Sequence, residues 1–195
     1  MITDPENHRG DPSRGPLRDY RPEGPAETAD VARLAEFLRT APEPWSRSTP
    51  LHLTASALIV HPASGRVLLR WHQRQRAWLQ VGGHGDPGES DPLAIALREA
   101  REETGLTDLR PWPTPALTHV AIVPVTAGRG EPAHEHADLR FVLATAEPDA
   151  IVAEEPDAPL RWLTAAAAAA EATQPNLRES LARVSRLLSS EGDTS

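Results

Sequence analysis

Residues 82–106 read GGHGDPGESDPLAIALREAREETGL, and within them Arg98–Leu106 read REAREETGL. Asp91 can cap a helix that opens with Pro92 and closes at Gly105, since Asp accepts from free first-turn amides, Pro suits the first turn and Gly suits the exit. On such a helix Glu99, Glu102 and Glu103 stand at i, i+3 and i+4 and share one face. Three like charges repel, so a solvated face gains nothing from them. A site for a divalent cation does gain, because hard cations take oxygen ligands. The Gly-rich stretch before the helix turns backbone amides toward an anion at its N-terminus. Leu93, Leu97, Ala100 and Thr104 fall on the opposite side and are expected to anchor the helix. Metal and phosphate binding are thus offered side by side.

The rest of the chain supplies a scaffold. LTASALIV (53–60), the turn HPASG and RVLLRW (66–71) form a hairpin, and WLQV (78–81) runs as a short strand into the Gly-rich stretch. After a Pro-rich connector come the strands ALTHVAIVPV and DLRFVLATA, separated by a loop around GRGEPAHEH, and then LRWLT (160–164). Six alanines, Ala165–Ala170, favour a helix, and a last helix over about 176–190 buries Leu177, Leu181, Val184 and Leu188. Strands interleaved with helices point to one α/β domain with a mixed sheet, placed at 45–190. Residues 1–27 lack hydrophobic periodicity and read as a disordered or loosely packed tail. A helix in the segment 28–44, starting at Thr28, turns Val31, Leu34, Ala35 and Leu38 to one side. That side is expected to pack on the core, and it is also the surface on which a homodimer would form.

Composition narrows the function. The chain has 195 residues, a net charge of −8 and no cysteine. That excludes disulfides, thiolate metal sites and cysteine nucleophiles. The acidic balance disfavours a nucleic-acid partner. No apolar run is long enough to span a membrane, and MITDPENHRG has no apolar signal core, so a cytoplasmic protein is expected. All 20 basic residues are arginine. No lysine is on hand for Schiff-base or general-base chemistry.

The stretch Gly83–Leu106 resembles the Nudix box, G-x5-E-x7-R-E-U-x-E-E-x-G-U with U a bulky aliphatic. Gly83, Glu89, Arg98, Glu99, Glu102, Glu103, Gly105 and Leu106 fill its named positions. Five matches at fixed spacing arise by chance on the order of once in a million. Eight residues separate Glu89 from Arg98 where the box has seven, and Ala100 stands where a larger aliphatic is usual. The resemblance implies a Nudix-type α/β/α sandwich. It implies a Mg²⁺-dependent (or Mn²⁺-dependent) pyrophosphohydrolase that cleaves the diphosphate bond of a nucleoside diphosphate linked to another group. Glu99, Glu102 and Glu103 would be catalytic and bind metal together with the Gly82 carbonyl. Arg98 and Glu89 would support them. A catalytically idle, nucleotide-sensing Nudix domain is the alternative. An isomerase of the same scaffold would need a cysteine the chain lacks, and PWPTP (111–115) matches the Pro-Trp-Pro motif of the NADH-cleaving branch only in part.

Parity along 134–141, HEHADLRF, separates further candidates. Leu139, Phe141 and Leu143 should face the core, leaving His134, His136, Asp138 and Arg140 opposite. His136 and Asp138 are therefore preferred to Glu135 as substrate-contacting or supporting residues. His84, in the Gly-rich stretch, is a further candidate, whereas His119, inside an apolar strand, reads as structural.

Overall fold

The computed structural model describes residues 12–192 apart from Arg129. Its strands are β1 (Leu51–His61), β2 (Arg66–His72), β3 (Ala77–Leu79), β4 (Val81–Gly83), β5 (Arg110–Pro111), β6 (His119–Val125), β7 (His134–Ala144) and β8 (Leu160–Thr164). The helices are α1 (Gly24–Thr40), α2 (Pro92–Thr104), α3 (Ala165–Glu171) and α4 (Pro175–Gly192). The sheet is mixed. Strand β1 runs parallel to β7 and antiparallel to β2 and β4, while β6 and β5 pair with β7, and β3 and β8 pair with β2.

Strand β1 is buried on both faces, as a central strand under helices on either side must be. Its odd residues Leu53, Ala55, Ala57 and Ile59 join Leu139 and Leu143 under Ile95, Ala96 and Ala100 of α2. The even residues Leu58 and Val60 join Val142 and Ala144 under Ala168 of α3 and Leu177, Leu181 and Val184 of α4. Two helical layers enclose the sheet, which is the expected α/β/α sandwich.

Helix α2 starts and stops where its sequence says. The Asp91 carboxylate accepts from the amides of Leu93 (3.0 Å) and Ala94 (3.3 Å), and Gly105 leaves the helix at φ 70°. Its anchor is the expected one at Ala100 and Thr104 and differs in the first turns. Ile95, Ala96, Ala100 and Thr104 are buried, while Leu93 and Leu97 are only partly so. The buried stripe is thus rotated toward Glu99 and Glu103.

Three boundaries also differ. The strand expected over 78–81 is two strands, β3 and β4, so Gly82 and Gly83 belong to the sheet and pair with Ser56 and Ala55. Helix α1 begins at Gly24 rather than Thr28. The segment expected to be a loose tail is held down in its later part, while residues 1–11 lie outside the described ones. Leu17 and Glu27 are buried, and Tyr20 packs against the main core. Sparse anchors of this kind leave no periodic trace. Leu34 is fully buried in the same core as β1 and α2. The apolar side of α1 is therefore spent within the chain.

Candidate active site

The three glutamates of α2 are not equivalent. The Glu99 and Glu103 side chains are 16% and 12% exposed, whereas Glu102 is 51% exposed. Glu103 lies next to the buried stripe and points at β4, where its Oε2 accepts from the Gly82 amide at 3.0 Å. Its Oε1 is 3.2 Å from Arg70 Nη1 of β2. Burial pushes the Glu103 carboxyl up to about 7 against the pull of Arg70 and the Gly82 amide, and neighbouring Glu99 adds to the rise. Burial raises Glu99 too, despite the charge of Arg98 beside it.

Glycine is required on the strand they face. Gly82 sits at φ 141°, and a Cβ there would overlap Ser56 and come within 2.5 Å of the Ala55 carbonyl oxygen. A Cβ on Gly83 would come within 2.6 Å of Glu99 Oε2. The two glycines let the carboxylates reach the backbone of β4.

Arg98 organises the outer part of the site. Its Nη1 donates to Glu99 (3.0 Å) and Glu102 (2.9 Å), and its Nη2 donates to Glu89 (2.9 Å) and to the His84 carbonyl (2.9 Å). Glu89 also accepts from the Asp86 amide at 2.8 Å. The extra residue of the box is taken up between Glu89 and the Asp91 cap, so Glu89 still reaches Arg98. Hydrogen bonds to Glu89 hold the Arg98 guanidinium above its ordinary value.

Asp138 is on the sheet face opposite α2, by the parity of β7. It does not join the glutamates. Its carboxylate is buried and accepts from Thr54 Oγ1 (3.0 Å), Ser56 Oγ (2.8 Å), Gln80 Nε2 (3.2 Å) and Arg140 Nε (2.8 Å). Burial alone would raise this group, but Arg140 and the hydroxyl donors hold it below its ordinary value. A carboxylate held by four donors, three of them on Oδ2, positions its neighbours. Arg140 carries the tie on to α4 through the Asn176 carbonyl (3.1 Å) and Ser180 Oγ (3.1 Å). Glu135 points elsewhere and pairs with Arg33 of α1. His119 is buried against Ser180 Oγ at 2.6 Å, a structural placement.

His136 and His84 meet in a cluster that the sequence did not reveal. His52 of β1 lies beside His136 in the parallel register, and His84 directly follows β4. His52 Nε2 is 3.1 Å from His84 Nε2, and His134 Nε2 is 3.1 Å from His136 Nε2. Burial pushes His84 down to about 3 and His136 to about 4, and lowers His52 as well. The sequence signals were the alternation of His134 and His136 and the place of His84 in the Gly-rich stretch; His52 had none.

These groups line two adjoining clefts. One, of about 670 Å³, has Arg47, Arg74, His52 and His134 on its walls. The other, of about 240 Å³, reaches Gly82, Gly83, Gln80 and Asp138. His72, Gln75, His84 and His136 border both. A larger apolar cleft of about 1130 Å³ lies between Tyr20, Trp112, Leu117 and Leu187, and none of the three clefts is lined by a box glutamate.

Residues 50–184 match the NUDIX domain family model. The chain belongs to the NUDIX domain family. A stretch of 106 residues is 33% identical to the probable DHNTP pyrophosphohydrolase of Lactococcus lactis subsp. cremoris (strain MG1363) and covers 54% of this chain and 61% of that protein. The fold is shared with the C. elegans Ap4A hydrolase in its binary complex, at TM-score 0.55 and 21% identity over 71% of this chain and 98% of the other. It is shared also with the E. coli dihydroneopterin triphosphate pyrophosphohydrolase, at TM-score 0.50 and 21% identity over 68% of this chain and 92% of the other. NUDIX membership agrees with the fold read from Gly83–Leu106, while of the histidine cluster only His84 lies in that stretch.

Proposed function

We propose that this NUDIX protein is a metal-dependent pyrophosphohydrolase that opens the diphosphate bond of a nucleoside diphosphate joined to another group. The observation that carries this is the Glu99–Glu103 pair. Two carboxylates are buried beside the strand Gly82–Gly83, burial raises both and Glu99 adds to the rise of Glu103, and such a pair is relieved by a hard cation. Carboxylate oxygens together with the Gly82 carbonyl form a donor set that suits Mg²⁺, or Mn²⁺ in its place. Bound there, the ion supplies charge neutralisation for the phosphates and a more acidic water.

The remaining work falls to the chain. Arg98 steers Glu99 and Glu102 and clamps the His84 carbonyl, which fixes the glycine strand against α2. Glu102 is exposed, and its Oε2 can leave Arg98 to accept the proton of the attacking water. That water forms a bond to phosphorus as the bridging P–O bond breaks, and the leaving phosphate departs with the bond's electrons. Arg47 and Arg74 line the cleft of about 670 Å³ and suit an anionic phosphate chain.

The test is a hydrolysis panel run with Mg²⁺. It comprises a dinucleoside polyphosphate, a nucleoside diphosphate sugar, a nucleoside triphosphate and dihydroneopterin triphosphate, the last suggested by the L. lactis relative's name. At least one member should be cleaved, and Glu103→Gln should lower that rate about a hundredfold or more while the fold is kept. Undiminished activity in Glu103→Gln, or in excess chelator, would sink the mechanism. Binding without turnover across the panel would instead favour a nucleotide-sensing domain.

A further inference from the structure

The histidine cluster has a geometry of its own. His52 Nδ1 is 2.9 Å from the Thr49 carbonyl, and His134 Nδ1 is 3.0 Å from the Pro132 carbonyl. A carbonyl only accepts, so each Nδ1 carries the proton and each Nε2 keeps its lone pair. Those Nε2 atoms each stand 3.1 Å from a second imidazole Nε2, on His84 and His136 respectively. Two imidazole nitrogens at that separation need something positive between them, either a proton or a metal ion. Four nitrogens held tetrahedrally at about 2.0–2.1 Å from a zinc ion lie about 3.3 Å apart. The His52–His84 spacing is close to that edge.

The wider arrangement agrees. One ligand nitrogen from each of His52, His84 and His136 lies within 4.8 Å of the others. Among the described residues no other set of three His, Cys, Asp or Glu side chains meets that test. His52 and His136 sit side by side on paired strands, which is a rigid base for a site. The Nδ1–H bond of His52 to a backbone carbonyl is the usual way a ligating imidazole is aimed.

We propose that His52, His84 and His136 form a binding site for a nitrogen-preferring divalent transition metal of the Zn²⁺ class, separate from the carboxylate site of α2. Imidazoles suit that class, while Mg²⁺ prefers oxygen. The ion takes three nitrogens, all from residues that line the cleft of about 670 Å³ together with His134, whose Nε2 is 3.1 Å from His136 Nε2. His84 joins the two sites. Its ring belongs to the histidine centre, and its carbonyl is bonded by Arg98 of the Nudix box at 2.9 Å. An ion held by His84 would therefore pin the end of β4 on which Gly82 and Gly83 lie.

Chelator-treated protein should be titrated with Co²⁺ in millimolar Mg²⁺ and followed by visible absorption. One tight Co²⁺ per chain is expected, displaced by Zn²⁺ and not by Mg²⁺. His52→Gln, His84→Gln and His136→Gln should each weaken it at least about a hundredfold. Glu103→Gln should keep the spectrum, so this result is independent of whether the protein hydrolyses anything. Imidazole nitrogen NMR of the wild-type chain guards against a variant that fails to fold, because Zn²⁺ should shift the His52, His84 and His136 rings. The site does not exist if wild-type protein binds no Co²⁺, if Mg²⁺ displaces it, or if the spectrum survives all three substitutions. It is likewise overturned if inorganic pyrophosphate shifts those rings and Zn²⁺ does not, which would make the pocket an anion cradle.

Discussion

Glu27→Gln tests how the N-terminal segment is fastened to the domain. Glu27 lies in the first turn of α1 and is almost fully buried. Its carboxylate accepts from Arg183 Nη1 (3.0 Å) and Nη2 (2.6 Å) of α4, from the Val120 amide (2.9 Å) of β6, from the Glu23 amide (2.5 Å) and from the Tyr20 hydroxyl. Burial by itself would raise this carboxyl, but Arg183, Tyr20 and the two amides outweigh it and hold it at about 2. Removing the charge leaves Arg183 buried, with the exposed Glu23 carboxylate 3.6 Å away as a weak substitute. Breaking one side of such a pair costs about 3–5 kcal/mol. The pKa shift gives a similar figure. A fall from 4.5 to about 2, at 1.36 kcal/mol per unit, corresponds to about 3 kcal/mol. The folded value is depressed, so this stability is full above the unfolded value of 4.5 and is lost as pH falls toward about 2. Roughly 2 kcal/mol of it should be gone by pH 3. Urea unfolding followed by tryptophan fluorescence, from pH 7 down to pH 3, reads both effects. The variant should be about 3 kcal/mol less stable at pH 7, and the gap to wild type should narrow toward pH 3. A loss below about 1 kcal/mol, the range of an exposed ion pair, or a gap that does not change with pH, would refute this account.

Two further outcomes follow from the site. Arg98→Met removes the donor shared by Glu89, Glu99, Glu102 and the His84 carbonyl. It should raise the Mg²⁺ concentration needed for half-maximal activity by about tenfold to a hundredfold, and an unchanged metal titration would mean that Arg98 does not aim the glutamates. Gly82→Ala forces a Cβ into Ser56 at a φ of 141°. Strain of this kind costs about 1–3 kcal/mol before the overlap is counted, so thermal stability should fall, and a variant as stable as wild type would show that β4 can move away from β1.

What could be read from the sequence was local. The Asp91 cap, the Gly105 exit and the parity of β7 each depend on a few consecutive residues, and the structure has all three. Failures began where partners are far apart in the chain. Glu27 and Arg183 are 156 residues apart, so a buried ion pair was read as part of a loose tail. The histidine cluster needs the β1–β7 register, which sets His52 against His136, and no pattern within either strand contains that information. The grading of the glutamates was also hidden. Spacing places three carboxylates on one face, but only the rotation of α2 about Ile95 and Ala96 decides that Glu99 and Glu103 are enclosed while Glu102 meets solvent.

That rotation also bears on why Ala100 is small. Ala100 is fully buried in the core that α2 shares with β1, on the side of the helix next to Glu103. A larger aliphatic there would push α2 away from the sheet. The Gly82 amide would then lose Glu103, 3.0 Å away at present, and Gly83 would lose its close approach to Glu99. The departure from the box at Ala100 and the two glycines of β4 therefore act together. Small residues on both sides let helix and strand approach until the carboxylates are half desolvated. Desolvation then lifts Glu103 to about 7 and makes a cation the favoured neighbour.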